Sequence, residues 1–73
     1  MSPKRTPEAI LTERQLQVFR LIWDGLNSVE IGKRLSLSPK TVDYHRLHVY
    51  KQLRVNDIVS AVREGLKRGL LKL

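Results

Sequence analysis

The chain has 73 residues and a formal net charge of +7, from 14 Lys and Arg against 7 Asp and Glu, and it contains no cysteine. Its length allows one small domain, the lack of cysteine excludes disulfides and thiolate metal sites, and no apolar run approaches the ~18 residues of a membrane-spanning helix. The excess of positive charge suits a polyanionic partner, either nucleic acid or an anionic membrane surface, although a basic domain without such a partner has the same composition.

Residues 1–10 hold two prolines, two basic residues and little apolar content. This composition predicts a flexible N-terminal arm in front of a single domain over residues 11–73. The Ser-Pro-Lys-Arg stretch could contact phosphates, although a tail without contacts is the favoured interpretation. Because the segment lacks the long apolar stretch of a signal peptide, we expect a cytoplasmic protein.

The first predicted helix covers about 13–24. Thr12 precedes it and Gln15 follows three positions later, which is the capping-box pattern in which the two side chains satisfy backbone N–H groups. Gly25 suits the C-terminal end. The apolar residues that recur there at helical spacing are Val18, Phe19 and Ile22.

A second, short helix is predicted over about 28–35. Asn27 and Glu30 repeat the capping-box spacing. Ile31 and Leu35 would form the buried edge of this helix. Only a tight connection then separates it from the next helix.

The third predicted helix covers about 39–53, with Ser38 as its N-cap and Pro39 in its first turn. A fourth is predicted over about 57–68. The candidate N-caps of that fourth helix are Asn56 and Asp57. No stretch shows sustained two-residue alternation, so the sequence predicts an all-α fold. A short helix, a tight connection and a longer helix with a charged outer face are typical of a helix-turn-helix, whose second helix enters the major groove of DNA.

The two faces of the third helix follow from its ~100° rotation per residue. The expected core seam is Val42, His45, Val49 and Leu53, with His45 as a buried, hydrogen-bonded structural residue. The opposite face carries Lys40, Asp43, Tyr44, Leu47 and Lys51, with Arg54 continuing it and Arg46 on its border. A solvated face would rarely combine Tyr and Leu with two lysines. In a groove, lysines neutralise phosphates, whereas Tyr and Leu can contact thymine methyl groups.

Several stretches follow a common pattern: "LTERQLQVF" at 11–19, "GLNSVEIGKRL" at 25–35, "LSPKTVDYH" at 37–45, "VYKQLRV" at 49–55, "AV" at 61–62 and "GLL" at 69–71. On these residues the chain resembles the LuxR-type helix-turn-helix domain, also named for GerE and FixJ. The resemblance covers about 11–71. It implies a four-helix LuxR/GerE-type domain in which the third helix contacts the bases and the fourth is the usual dimer contact.

Carried over position by position, the resemblance also implies roles for side chains. The base-contacting positions are Asp43, Tyr44 and Leu47. The positions matched to phosphate contacts are Lys40, Thr41 and Lys51, and Arg46 and Arg54 are candidates for either role. Glu13 and Glu30 match structural acidic positions, and Gly32 stands where alanine is frequent.

Asp43 departs from the pattern, because its position most often carries Lys or Arg in the family. A carboxylate that points at the DNA backbone is repelled by phosphates. It is tolerated if it accepts a hydrogen bond from cytosine N4 in the groove, or if Lys40 or Arg46 neutralises it. These alternatives stay open at the level of sequence.

Two apolar sets suggest protein contacts. The fourth helix carries an apolar stripe wider than core packing needs, which we expect to form a homodimer contact. That stripe is Ile58, Val59, Val62 and Leu66, and Ile58 stands where Arg is frequent in the family. Leu16 and Trp23 lie off the apolar track of the first helix. They are interpreted either as peripheral packing against the arm or the fourth helix, or as a patch for a protein partner, such as another regulator or RNA polymerase.

The sequence therefore predicts a sequence-specific regulator of transcription that binds double-stranded DNA as a dimer on a roughly two-fold site. Its expected location is the cytoplasm, on the bacterial nucleoid when bound to DNA. A protein-binding antagonist that keeps the fold is the alternative, and region 4 of a sigma factor is a weaker one. Met1 and the compact ending "GLLKL" favour a complete small regulator over a fragment.

An enzyme is not expected, because the sequence offers no nucleophile–base pair, phosphate loop or metal cluster. The two histidines make a poor metal site by themselves. We accordingly expect no catalytic residues, no metal, no cofactor and no membrane partner.

Overall fold

The computed structural model describes residues 10–73. The elements are α1 (Glu13–Trp23), α2 (Ser28–Leu35), α3 (Pro39–Leu53) and α4 (Ile58–Lys67), and this range contains no strand. The predicted all-α, four-helix fold is confirmed, and each helix begins and ends within one residue of its predicted bounds. Apart from Ile10, the predicted N-terminal arm lies outside the described residues.

Reciprocal side-chain caps fix the first two helix starts. Before α1, Gln15 N donates to Thr12 Oγ1 at 3.1 Å and Thr12 N donates to Gln15 Oε1 at 3.0 Å. Before α2, Glu30 N donates to Asn27 Oδ1 and Asn27 N donates to Glu30 Oε1, both at 2.9 Å. Each pair satisfies two backbone N–H groups that a helix start leaves without partners, and both predicted capping boxes are confirmed.

The turn between α2 and α3 depends on a close backbone approach. Ser36 ends α2 in the left-handed region, with φ 60°, and Leu37 N then donates to Gly32 O at 2.8 Å. A Cβ added at Gly32 would overlap the carbonyl oxygen of Leu37, so glycine makes room for the returning chain. Ser38 begins α3 as predicted, because its Oγ accepts from Thr41 N at 3.1 Å.

α3 holds the fold together because it supplies side chains to both hydrophobic clusters. The smaller cluster, between α1, α2 and α3, comprises Val18, Ile31 and Val42. The larger cluster comprises Leu11, Phe19, Val49, Leu53, Ala61, Leu70 and Leu71. The predicted core seam of α3 is therefore confirmed at Val42, Val49 and Leu53.

The expectation for His45 is wrong, because its side chain is half-buried rather than buried. Its ring meets the ring of Tyr44 edge-on, at a centroid distance of 5.8 Å. His45 lies about 40° around the helix axis from Val49. That offset places it at the border of the seam, where the ring contacts an exposed aromatic neighbour instead of the core.

The segment after α4 completes the larger cluster. Gly69 reverses the chain with φ 78°, and Leu70 and Leu71 then enter the core. Two α1 side chains hold this segment: Arg20 Nε donates to Leu70 O at 3.1 Å, and Trp23 Nε1 donates to Lys72 O at 2.8 Å. Leu70 and Leu71, which follow the last helix, are therefore part of the packed domain.

The cap of α4 gives the stability of the domain a dependence on pH. Ser60 N donates to Asp57 Oδ1 at 2.7 Å, and this hydrogen bond lowers the pKa of Asp57 from its ordinary value of 3.8. A group whose pKa is lower in the folded state than in the unfolded state stabilises the fold at any pH above its unfolded-state pKa. This stabilisation is lost as the pH falls through the folded-state pKa. Asp57→Asn keeps a neutral acceptor at the cap but does not titrate.

We expect Asp57→Asn to be less stable than wild type at pH 7 and the difference to shrink as the pH falls below 3.8. Urea denaturation of both proteins between pH 7 and pH 2 measures it. Glu64, whose pKa is lowered by its hydrogen bond from Arg68, is present in both proteins and cancels in the comparison. A difference that stays constant with pH would show that the Asp57 charge contributes nothing.

Candidate nucleic-acid interface

One face of α3 is open to solvent along its whole length. The exposed stripe follows i, i+4, i+7 and i+11 spacing, which places its members on one side of the helix. Its residues are Lys40, Tyr44, Leu47 and Lys51. Tyr44 is 59% exposed and Leu47 is 57% exposed, so two large apolar side chains stand in water between two lysines. The outward placement predicted for these four residues is observed.

The exposed tyrosine is supported by its neighbours on α3. The centroids of the Tyr44 and His48 rings lie 4.4 Å apart, with an angle of 52° between the ring planes, and the His45 ring packs edge-on against Tyr44. The same surface borders an open groove of about 450 Å³ around the C-terminal half of α3. Its lining comprises Tyr44, Leu47, His48, Tyr50, Lys51, Val55 and Asn56. The stripe therefore combines charge with a shaped apolar surface.

Asp43 lies off this stripe, on the flank of α3 that faces the start of α2. Its Oδ1 accepts a hydrogen bond from Ser28 Oγ and lies 3.3 Å from Arg46 Nη2. Of the alternatives left open by the sequence, the structure favours neutralisation by Arg46. The two side chains are 45% and 41% exposed, so the ion pair contributes at most about 1 kcal/mol to stability.

Ser28 is a site residue that the sequence did not reveal. It is the first residue of α2, and its hydroxyl reaches across to α3. Helical periodicity assigns faces within one helix but carries no information on where two helices cross. A serine just inside a helix start, opposite an unexpected carboxylate, is the one weak signal that the sequence contains.

The predicted phosphate-contacting residues divide into two groups. Lys40, Lys51 and Arg54 are exposed. Thr41 is half-buried, and its Oγ1 accepts from Ser38 Oγ at 2.9 Å. Arg46 is half-buried and turned towards Asp43, and its Nε is buried without a hydrogen-bond partner among residues 10–73.

Comparison with known proteins gives the family. The protein-family model GerE, which describes bacterial regulatory proteins of the luxR family, matches residues 9–64 of this chain. The chain belongs to the LuxR family of bacterial regulatory proteins. The solved structure of the transcription factor GerE superposes with a TM-score of 0.81 at 30% identity, covering 86% of this chain and 94% of GerE.

Two curated LuxR-family relatives are much longer. The transcriptional regulatory protein DegU of Brevibacillus brevis is 39% identical over 69 residues, which cover 94% of this chain and 29% of DegU. The response regulator UvrY of Escherichia coli strain K12 is 35% identical over 72 residues, which cover 96% of this chain and 33% of UvrY. The chain thus spans about a third or less of the length of these relatives.

The apolar stripe on α4 is only partly exposed. Val59 is 64% exposed and Ile58 is 38% exposed, and both lie in the first turn of the helix. Val62 and Leu66 are half-buried and pack against the larger cluster. The surface available to a partner is therefore the N-terminal end of α4 rather than its whole length.

Leu16 and Trp23 are half-buried against the larger cluster. Trp23 also donates its indole N–H to Lys72 O. This placement favours peripheral packing over a partner patch. The element that accepts the hydrogen bond from Trp23 is the segment after α4.

Within residues 10–73, no three His, Asp or Glu side chains are grouped so as to hold a metal ion, and no helix is long and apolar enough to cross a membrane.

Proposed function

We propose that this LuxR-family domain is a sequence-specific regulator of transcription that binds double-stranded DNA with α3 in the major groove. The observation that carries the proposal is the exposed stripe of Lys40, Tyr44, Leu47 and Lys51 on the second helix of a helix-turn-helix. The major groove accepts one α-helix, and the second helix of such a pair lies there. The net charge of +7 suits the same partner.

The phosphate contacts in this proposal come from the ends of the stripe. Lys40 lies in the first turn of α3, and Lys51 and Arg54 lie at its last turn and C-cap. Cations at both ends can straddle the groove and hold the helix in register with the two DNA strands. Thr41 and Arg46 remain candidates, although their side chains already contact Ser38 and Asp43.

The base contacts come from the middle of the helix. Tyr44 and Leu47 present exposed apolar surface, which fits thymine methyl groups, and the Tyr44 hydroxyl can also donate or accept a hydrogen bond. Asp43 lies one turn from Leu47 on the α2 side of the stripe.

We further propose that two copies form a two-fold dimer through the start of α4. This dimer would act in the cytoplasm, on the bacterial nucleoid.

A selection from random duplex DNA at low salt tests the DNA-binding function. Wild type should enrich one sequence, and its affinity should fall linearly with salt on a double-logarithmic plot. If no sequence is enriched, the proposal fails and a protein-binding antagonist becomes the better hypothesis.

The variant Lys51→Ala separates phosphate contacts from base contacts. We expect it to weaken binding to all sequences alike and to reduce the salt slope by about 1, because one released counterion is lost. The matched control is Gln52→Ala, which truncates the exposed, uncharged neighbour. A change in the enriched sequence with Lys51→Ala would contradict its assignment to the backbone. Binding titrations by fluorescence anisotropy at several salt concentrations measure both quantities.

A further inference from the structure

We propose that Asp43 is held from behind by Ser28 and Arg46 so that its second carboxylate oxygen, Oδ2, accepts a hydrogen bond from an exocyclic amine in the major groove. The amine is cytosine N4 or adenine N6. This inference rests on the proposed DNA-binding function and assigns the specificity of one base pair to a three-residue arrangement.

Both contacts of the Asp43 carboxylate fall on one oxygen. Ser28 Oγ donates to Oδ1, and Arg46 Nη2 lies 3.3 Å from the same atom. Among residues 10–73, no hydrogen bond reaches Oδ2, and 45% of the Asp43 side chain remains exposed. The carboxylate therefore has one anchored side and one open side.

The anchors come from different elements, which limits how the carboxylate can turn. Ser28 belongs to α2, whereas Arg46 is three residues further along α3. A carboxylate is planar, so fixing Oδ1 at two points restricts where Oδ2 can lie. A preorganised acceptor loses less conformational entropy on binding than a free side chain. Ser28 and Arg46 are thus positioning residues for Asp43.

The same arrangement reduces the penalty of bringing a carboxylate close to DNA. Arg46 offsets the negative charge of Asp43 at 3.3 Å, so the pair as a whole approaches the phosphates without net repulsion. An unpaired carboxylate at this position would be repelled from both strands. Neutralisation by Arg46 and acceptance from a base are therefore compatible, since they use different oxygens.

The hydrogen-bonding groups of the major groove then determine which bases Asp43 prefers. An ionised carboxylate accepts hydrogen bonds but donates none. In the major groove, cytosine and adenine present amine donors, whereas guanine O6 and thymine O4 are acceptors. Guanine or thymine opposite Oδ2 would place two acceptors against each other. We therefore expect one position of the enriched site to be restricted to cytosine or adenine.

The variant Asp43→Asn inverts the exposed chemistry while keeping the shape. The Ser28 hydroxyl donates to Oδ1 and the positive Arg46 guanidinium lies beside that atom, so the amide oxygen should occupy the anchored side and Nδ2 the open side. Selection with Asp43→Asn should then admit guanine or thymine at that one position, because Nδ2 can donate to guanine O6 or thymine O4. Asp43→Ala should remove the preference there and leave the other positions unchanged.

Modified duplexes test the hydrogen bond directly. Replacing the contacted cytosine by 2-pyrimidinone, or the contacted adenine by purine, removes only the amine. Wild type should lose about tenfold in affinity, because the bond involves a charged acceptor. Asp43→Ala should bind the modified and unmodified duplexes equally. Ser28→Ala should show a reduced difference between them, whereas the control Val29→Ala, an exposed neighbour on α2, should behave like wild type.

The outcomes separate this inference from the function on which it rests. If wild type enriches a sequence but Asp43→Ala enriches the same sequence at every position, the inference is overturned and the DNA-binding function stands. If wild type enriches nothing, both fail. Circular dichroism confirms that each variant is folded. Should Asp43→Asn not fold, the affinities of Ser28→Ala for the modified and unmodified duplexes test the inference instead, because this variant leaves the Asp43 carboxylate in place.

Discussion

Leu70→Ala is expected to leave the domain largely unfolded under mild denaturing conditions. Leu70 is fully buried in the larger cluster, and truncating such a leucine costs about 2–5 kcal/mol. A domain of this size has a free energy of unfolding of roughly 4–11 kcal/mol in total. One side chain after the last helix therefore accounts for a large share of the stability.

Thermal unfolding followed by circular dichroism measures this effect. Leu73→Ala is the matched control, because the same side chain three residues later is fully exposed and its truncation should change nothing. Equal melting temperatures for Leu70→Ala and wild type would show that the C-terminal segment is not packed on α1. The hydrogen bonds from Arg20 and Trp23 to that segment would then have no structural role.

The helix bounds could be predicted because their causes lie within a few residues of sequence. The capping boxes of Thr12 with Gln15 and of Asn27 with Glu30 depend only on residue type and a fixed spacing. The same holds for Ser38 before α3. Local hydrogen bonds of this kind form in the same way whatever the rest of the fold does, so sequence analysis predicts them well.

The sequence predicts contacts between elements poorly, since these contacts depend on how the helices cross. Periodicity placed Asp43 on the outer face of α3, yet α2 approaches that flank and Ser28 binds the carboxylate. Periodicity also assigns His45 to the core, although its side chain is half-buried at the border of the seam. Trp23 lies off the apolar track of α1, but the sequence does not indicate its hydrogen-bond partner, Lys72 O, which is 49 residues away along the chain.

The start of α4 is expected to decide whether two copies bind DNA together. Val59 is 64% exposed and Ile58 adjoins it, so the first turn of α4 offers an apolar surface of the kind that a two-fold contact buries. Near a two-fold axis each residue meets its own copy or close neighbours of it. A charge introduced at Val59 would therefore face the same charge on the partner, whichever sign it has.

Both Val59→Glu and Val59→Lys should accordingly lose affinity for a two-fold site, by on the order of 100-fold, because the second half-site no longer adds to the first. Binding to a duplex with one half-site should change little. Anisotropy titrations on the two duplexes measure the difference, and melting curves check that both variants are folded. The two signs serve as mutual controls: if Val59 lay near DNA instead, lysine would strengthen binding and glutamate would weaken it. Opposite effects would thus place Val59 beside DNA, and no effect from either variant would exclude the start of α4 as the subunit contact.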